Sequence, residues 1–398
     1  MVPPKSGGTF FVGVVQMTGA SAPMREALRL AQRAVGRTHP NPLVGAVIVS
    51  AEADRIVGRG YHHRAGQPHA EVLAIQQAGL AARGGTLYVT LEPCRHTGRT
   101  PPCTDAILAA GLSRVVYALP DPHAPAAGGG QVLQAAGVAV EVGDGAEAAL
   151  AQNAGYLSWT VRRRPWVLLK SAVSADGKVA TVAAQSQYLT SAAALADVHR
   201  LRNAVDAILV GIGTVLADDP ALTCRGVRGG RDPVRVVLDS TGRLPRAARV
   251  LDPDRSRASG APTLVYTGHG TTPQFERQVF SRGGEVVQVD EREPGRLDLD
   301  AVLADLGERG LYTVLVEGGP TVHAAFITAG LADAWRTYWA PLVLGGPAPG
   351  PVGGRGIETL EAAPHLTVPQ VTRLGVDVRY DAYFETSWKE LAIRCLPD

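Results

Sequence analysis

His69, Glu71, Cys94 and Cys103 are the residues whose types and spacing could do chemistry together. An imidazole and two thiols make a soft donor set suited to zinc, and three protein ligands leave a fourth tetrahedral position for water. Zinc lowers the pKa of such a water toward ~7, which makes hydroxide available at neutral pH. Glu71 lies two positions after His69, placed to move protons rather than to bind metal. Together they suit a hydrolysis in which the carboxylate takes a proton and delivers it to a ring nitrogen and a departing amine. Any one of them alone reads as a core residue, or as a glutamate favoured in the first turn of a helix. Three ligand types in order, each beside a corner or a helix start, favour a metal. His96 as a fourth ligand would instead close the site and make it purely structural.

The elements that must position these groups can be read from periodicity. Met24, Ala27, Leu28, Ala31, Ala34 and Val35 recur at helical spacing, and a buried strand is expected over 45–49 after a loop held by Pro40 and Pro42. Pro68 suits a helix start, so His69 and Glu71 fall in the first turn of the next helix. A strand over 86–90 should end at the Glu92-Pro93-Cys94 corner, and a short helix over 104–110 should open directly after Cys103. Strand, helix and strand follow at 114–118, 131–136 and 138–142, a pattern that predicts a sheet covered by helices. The pattern restarts at Trp166, with further strands expected at 207–211, 234–238, 263–266, 286–289 and 313–316.

At 398 residues, two domains are the natural expectation: 23–164 and 165–398, behind an extension of residues 1–22. The extension is expected to be disordered, with translation starting at Met17 or Met24; its short apolar run and single lysine are poor for a signal peptide. A net charge of +2 provides no bulk field for nucleic acid or membrane, and no apolar run approaches the ~20 residues of a bilayer span. Four cysteines do not suggest a disulfide framework, so a cytoplasmic location is expected. The expected assembly is a homo-oligomer, dimer or tetramer.

Taken by its own residues, the second half offers only an anion site. The strand at 313–316 runs into Glu317-Gly318-Gly319-Pro320-Thr321 and a helix through Ala329, where glycines and helix N–H groups suit phosphate; a tight turn is the plain alternative. No G-x-G-x-x-G fingerprint is present, which argues against a Rossmann cofactor site.

The H-x-E and P-C elements match the signature of zinc deaminases, except that the second cysteine follows the first by nine positions rather than three. Thr38-His39-Pro40-Asn41-Pro42-Leu43-Val44-Gly45, the stretch from Gly60 to Glu71, and Thr90 to Cys103 resemble the bifunctional riboflavin-biosynthesis deaminase/reductase family, which is similar in that longer spacing. The resemblance extends through Ser174-Ala175-Asp176-Gly177-Lys178, the stretch from Gly213 to Arg225, and Val316-Glu317-Gly318-Gly319-Pro320-Thr321, covering about 24 to 385. It implies an α/β chain: a cytidine-deaminase-like three-layer α/β/α domain followed by a dihydrofolate-reductase-like α/β domain. It also implies two consecutive steps on a small-molecule pyrimidine ribosylamine phosphate. Zinc would serve hydrolytic deamination, and NADPH would reduce the ribosyl group to ribityl.

In the first site, Asn41 and His62 are expected against the pyrimidine, since an amide offers both donor and acceptor. His96 and Thr100 would touch base or phosphate, or merely stabilise the loop. By resemblance, Gly319, Pro320, Thr321, Val322, His323, Ala324 and Ala325 cradle the NADP diphosphate, with Ala172, Tyr188, Thr214, Asp218 and Ser240 lining the rest. Ser186, Arg202, Leu222, Arg225 and Glu317 would hold the substrate, the two arginines suiting its phosphate. Lys170 would steer the opened sugar or pair with Asp176, and Ser240, Thr241 and Arg243 are expected at the 2′-phosphate. The loop from Asp121 to Gly130 lacks the lysine that the family carries between glycines. Two competing readings are a tRNA deaminase with an RNA-binding appendage and a zinc-stabilised regulatory protein; the long cysteine spacing opposes the first and an open metal site the second.

Overall fold

The computed structural model describes residues 19–52, 54–98, 100–187, 189–252, 254, 260–367 and 369–397. Tyr188 and residues 1–18 lie outside the described residues, and with them the cofactor role expected of Tyr188 and most of the expected extension. The chain divides into two compact units: Arg163–Trp388 forms one, and the segments on either side of it form the other. The expected boundary at 164/165 therefore moves to 162/163, and the tail from Lys389, expected with the second domain, groups with the first. Helix Glu385–Cys395 explains this split. Its Trp388 stacks on Tyr383 within the second unit, with centroids 4.1 Å apart, while Arg394 donates to the Val161 carbonyl (3.1 Å) in the first.

In the first unit, helix α1 (Ala22–Gln32) starts from Ser21, whose hydroxyl accepts from the Met24 N–H. Ser21 in turn donates from N and Oγ to the Asp144 carboxylate (2.8 and 2.5 Å), and Ala20 is buried. Residues 20–22, expected in the extension, thus belong to the folded unit. Strands β1 (Gly45–Val49), β2 (Ile56–Tyr61), β3 (Thr86–Val89), β4 (Arg114–Tyr117) and β5 (Ala139–Val142) form one sheet, in the order β2-β1-β3-β4-β5. The β1 pairings with β2 and β3 are antiparallel, and the β3–β4 and β4–β5 pairings are parallel. β1 is buried along its whole length, as its unbroken apolar run requires. β2 was not anticipated, because its glycines and Arg59 break the alternation that marks a strand. Those glycines have a use. Helix α2 (Ala70–Ala78) lies so close to β2 that a Cβ at Gly58 or Gly60 would strike the carbonyl oxygens of Ala74 or Ala70. Small residues on both sides let the helix that carries the chemistry sit directly on the sheet.

The second unit is built on nine strands: β6 (Trp166–Val173), β7 (Ala207–Gly211), β8 (Val234–Leu238), β9 (Thr263–Thr267), β10 (Gly284–Gln288), β13 (Thr313–Val316), β14 (Ala334–Trp339), β15 (Gln370–Leu374) and β16 (Asp377–Tyr383). A small separate hairpin of β11 (Glu291–Glu293) and β12 (Arg296–Leu297) completes the strands. The sheet order is β10-β9-β8-β7-β13-β6-β14-β16-β15, parallel from β10 to β14 and antiparallel from β14 to the β15 edge. The chain winds outward from β6 through β7 to β10, then returns to insert β13 between β7 and β6. That reversal opens a crevice at the carboxyl ends of β7, β13 and β6, where open α/β sheets bind ligands. The core beneath it is aliphatic, with Val167, Leu169, Leu209, Val236, Leu264, Val314, Val316 and Phe326 in one buried cluster. Among the described residues, no helix is long and apolar enough to cross a membrane.

Candidate functional site

His69 caps α2 in extended conformation, and Glu71 follows in the helix's first turn. Helix α3 (Cys103–Ala109) opens on Cys103, whose backbone N–H points at the Cys94 sulfur (3.5 Å). Thiolates are stabilised at such a helix start. His69 Nδ1 lies 3.2 Å from Cys103 Sγ and 3.5 Å from Cys94 Sγ. The three ligand atoms all fall within 4.8 Å of one another. Zn–S bonds of about 2.3 Å and Zn–N bonds of about 2.0 Å imply ligand separations of roughly 3.5–3.8 Å around a tetrahedral ion, so the cluster fits zinc with little adjustment. His96 is not in that cluster, so the closed four-ligand site does not form among the described residues.

The protons respond to this crowding. The Cys94 thiol is held down at about 4, chiefly because the Cys103 thiol donates to it, with His69 and the Cys103 N–H adding to the effect against burial. Cys103 is pushed far up by the same hydrogen bond, by burial and by Glu71. His69 is raised by its bond to Cys94, against burial. One thiolate forms readily and the second proton is left for a cation to displace. Glu71 is 3 % exposed and burial pushes its carboxyl up, with His69 opposing. Its Oε2 is buried with no hydrogen-bond partner among the described residues. An orphaned acid beside a tri-liganded metal position can accept and return a proton.

The expected substrate contacts of this site are partly assembled. Asn41 Nδ2 and His62 Nε2 are 3.0 Å apart, and His62 Nδ1 faces the Pro68 carbonyl (3.3 Å). His62 meets the His69 ring edge-on with centroids 5.4 Å apart, and burial lowers its pKa. Thr100 Oγ1 lies 3.4 Å from His69 Nε2, which orients the metal imidazole. His96 Nδ1 is buried without a partner among the described residues. Two residues escaped the sequence reading. Asn153 brackets Leu43, accepting from its N–H (2.7 Å) and donating to its carbonyl (3.0 Å), and so fixes the strand end beyond Asn41. Glu92 is buried beside the Cys94 corner. Its motif neighbours hinted at importance, but Asn153 carried no local signal.

The second unit gathers its expected residues at the crevice. Glu317 follows β13 and receives a bidentate fork from Arg202 (2.9 and 2.8 Å), with Lys170 Nζ 3.8 Å away. Burial would raise Glu317, but Arg202 and Lys170 outweigh it and hold the carboxyl at about 2. Burial and Arg202 pull Lys170 below the usual lysine range, against Glu317. Lys170 also lies 5.9 Å from the Tyr338 ring centroid. The alternative pairing of Lys170 with Asp176 is not formed, since Asp176 accepts from Ser174 (2.6 Å) and from the N–H groups of Leu344 and Gly345. Arg202, expected at the substrate, donates its fork to Glu317 and its Nη1 to the Thr223 carbonyl (3.1 Å). Arg225 is exposed, as a phosphate ligand must be. Leu222 is buried with φ 49°, a left-handed conformation that a leucine adopts only when its surroundings impose it.

Two helices begin side by side here. Ile212–Asp218 follows β7 and Pro320–Thr328 follows β13, with Gly319 as N-cap and the site of an added Cβ there only 3.7 Å from Thr214 Oγ1. Paired N-termini over adjacent parallel strands suit a diphosphate. Asp218 accepts from Ser186 Oγ (3.1 Å), joining an expected cofactor residue to an expected substrate residue. Ala172 is half-buried on β6 beside Tyr338. The side chain of His323, a residue expected in the cradle, is buried against backbone. It is 2 % exposed, with Nδ1 on the Pro351 carbonyl (3.0 Å), and so tethers the following glycine-rich loop. Ser240 lies just past β8, where its carbonyl accepts from Gly268, and Thr241 and Arg243 are exposed beyond it.

Three clustered zinc-type ligands beside a buried acid on a mixed sheet, followed in one chain by a second α/β unit with paired helix N-termini, fit the class of zinc deaminases that carry a second domain. Comparison with known proteins agrees. The cytidine and deoxycytidylate deaminase zinc-binding region matches residues 17–119, and the RibD C-terminal domain matches residues 165–380. The riboflavin biosynthesis protein RibD of Bacillus amyloliquefaciens is 41 % identical over 361 residues, covering 90 % of this chain and 95 % of that one. RibD of Escherichia coli K12 is 40 % identical over 368 residues, covering 89 % and 96 %. Among solved structures, Acinetobacter baumannii RibD superposes with a TM-score of 0.80 at 36 % identity, covering 92 % of this chain and 99 % of that one. A Thermotoga maritima diaminohydroxyphosphoribosylaminopyrimidine deaminase/5-amino-6-(5-phosphoribosylamino)uracil reductase gives 0.78 at 33 % identity, covering 91 % and 97 %. The chain belongs to the RibD family, the bifunctional deaminase/reductases of riboflavin biosynthesis.

Proposed function

We propose that the first unit deaminates 2,5-diamino-6-ribosylamino-4(3H)-pyrimidinone 5′-phosphate. The second unit then reduces the ribosyl group with NADPH, giving 5-amino-6-ribitylamino-uracil 5′-phosphate. The observation that carries the reading is the orphaned Oε2 of Glu71 beside three clustered zinc-type ligands. His69, Cys94 and Cys103 would hold zinc, which when bound would supply hydroxide at neutral pH. Glu71 holds the proton and returns it to the ring and the leaving amine, while Asn41 and His62 present donor and acceptor to the pyrimidine edge. Thr214, Asp218 and residues 319–325 would hold NADPH, which when bound would supply hydride. Lys170, held by Glu317, orients the opened sugar; Ser186 and Leu222 flank it, and Arg225 takes the phosphate.

The four cysteines are free, in keeping with a reducing cytoplasm, and a homo-oligomeric assembly is part of the same reading. The test is an assay of the purified chain in which ammonia release and NADPH oxidation are followed separately, with the pyrimidine phosphate and with tRNA as alternative substrates. Ammonia from the pyrimidine phosphate, followed by oxidation of NADPH, is expected. Turnover of tRNA alone would overturn the reading.

A further inference from the structure

Four consecutive residues at the Cys94 corner touch one loop, residues 121–130. Glu92, 7 % exposed, accepts from the N–H of Asp121 at one end of that loop (3.2 Å) and from the N–H of Gly130 at the other (2.9 Å), using one carboxylate oxygen for each. The Pro93 carbonyl approaches Gly129 so closely that no Cβ would fit there. Cys94 packs with Cys103 and Ala126 in one small buried cluster, against which Val72 of α2 also leans. Arg95 donates from Nε to the Ala127 carbonyl. Asp121 is anchored on its own side as well, accepting from the Tyr156 hydroxyl (3.1 Å) and the His123 N–H (3.0 Å).

A buried carboxylate joining both ends of a loop removes most of the freedom that loop would otherwise have. Hydrogen bonds to an ionised acceptor are also stronger than neutral ones, and losing a buried one leaves an orphaned N–H. Metal thiolates depend on such surroundings, which keep water off the sulfurs and hold the ligand geometry.

We propose that Glu92 is a positioning residue of the deaminase site. It staples loop 121–130 so that Ala126 covers the sulfurs of Cys94 and Cys103, and this cover slows loss of the metal. The inference rests on the reading of His69, Cys94 and Cys103 as zinc ligands, but loop closure is measurable without that reading. The experiment compares the full-length holoenzyme with Glu92→Gln and Glu92→Ala. Glutamine keeps one acceptor and turns an amide NH2 toward the other N–H. In both variants, amide exchange across 121–130 is expected to quicken at least about tenfold while β3 and β4 change little. Zinc transfer to a chromogenic chelator should quicken by a similar factor. Ammonia release should lose kcat with KM nearly unchanged, and NADPH oxidation with the deaminated substrate should stay as in the wild type.

Unchanged loop exchange and unchanged zinc transfer would overturn the proposal. Failure of both variants to fold, or protection lost equally from β3, β4 and the loop, would also overturn it, by making Glu92 a general stability residue. Faster loop exchange in a wild-type background that holds no zinc would sink the metal reading and leave the staple standing.

Discussion

Glu71 is a buried carboxylate and Glu317 a largely covered one, and their surroundings push them in opposite directions. Burial raises Glu71 against His69, its own backbone N–H and the Cys103 thiol, and its Oε2 faces no donor among the described residues. Glu317 sits under a guanidinium fork and an ammonium, and is held at about 2. An acid whose neutral form is favoured, with one oxygen still open, suits the proton carrier proposed for Glu71. An acid saturated by cations stays ionised and instead holds those cations in place. The same side chain would then serve proton transfer in one half and architecture in the other.

That contrast can be broken most sharply at Glu71. Glu71→Gln should retain zinc by metal analysis and retain NADPH oxidation, while ammonia release falls by roughly 10²–10⁴-fold, the usual worth of a positioned acid–base group. Normal ammonia release in that variant would remove the assigned proton carrier. Glu317→Gln tests the other side. Removing the anion leaves Arg202 and Lys170 buried without their partner, so the second unit should lose about 3–5 kcal/mol in denaturant unfolding. A loss no larger than that of a surface substitution would mean the cations find other partners.

Acid provides a third, slightly smaller effect. Glu317 has a folded pKa near 2 against an ordinary value of 4.5, so its contribution is complete above pH 4.5 and is lost as pH falls toward 2. The linked stability is about 3 kcal/mol. Unfolding followed at stepped pH should show that loss in the wild type and a flatter profile in Glu317→Gln. The smallest effect is expected at Arg243, exposed beyond β8. Arg243→Ala should raise the NADPH concentration needed about tenfold and leave NADH use nearly unchanged, as for one charge-assisted phosphate contact. Equal effects on both cofactors would remove it from the 2′-phosphate site.

Legibility in the sequence followed distance along the chain. The expected zinc ligands lie at helix starts and at the corner after β3, where Pro68 and Pro93 punctuate the sequence locally. β1 and the inner strands of the second sheet read clearly because strands buried on both faces are unbroken apolar runs. β2 hid behind glycines whose only meaning is the closeness of α2. β14 and β16 do not read as apolar runs because they carry buried charges, Arg336 on the first and Arg379 and Asp381 on the second, which are matched to one another and to Asp197 only in the fold.

By itself, the order of residue types pointed to a soft metal and a neighbouring acid in the first half, since donor softness and ligand number are properties of side chains, and the motifs pointed to the family. Only the tertiary structure decided which charges are spent on one another. Arg202 and Glu317 stand 115 positions apart in the chain and are engaged face to face in the fold. His323 likewise meets the carbonyl of Pro351, 28 positions away. Proton affinity and hydrogen bonding depend on burial and on neighbours brought together by packing, and neither exists until the chain has folded.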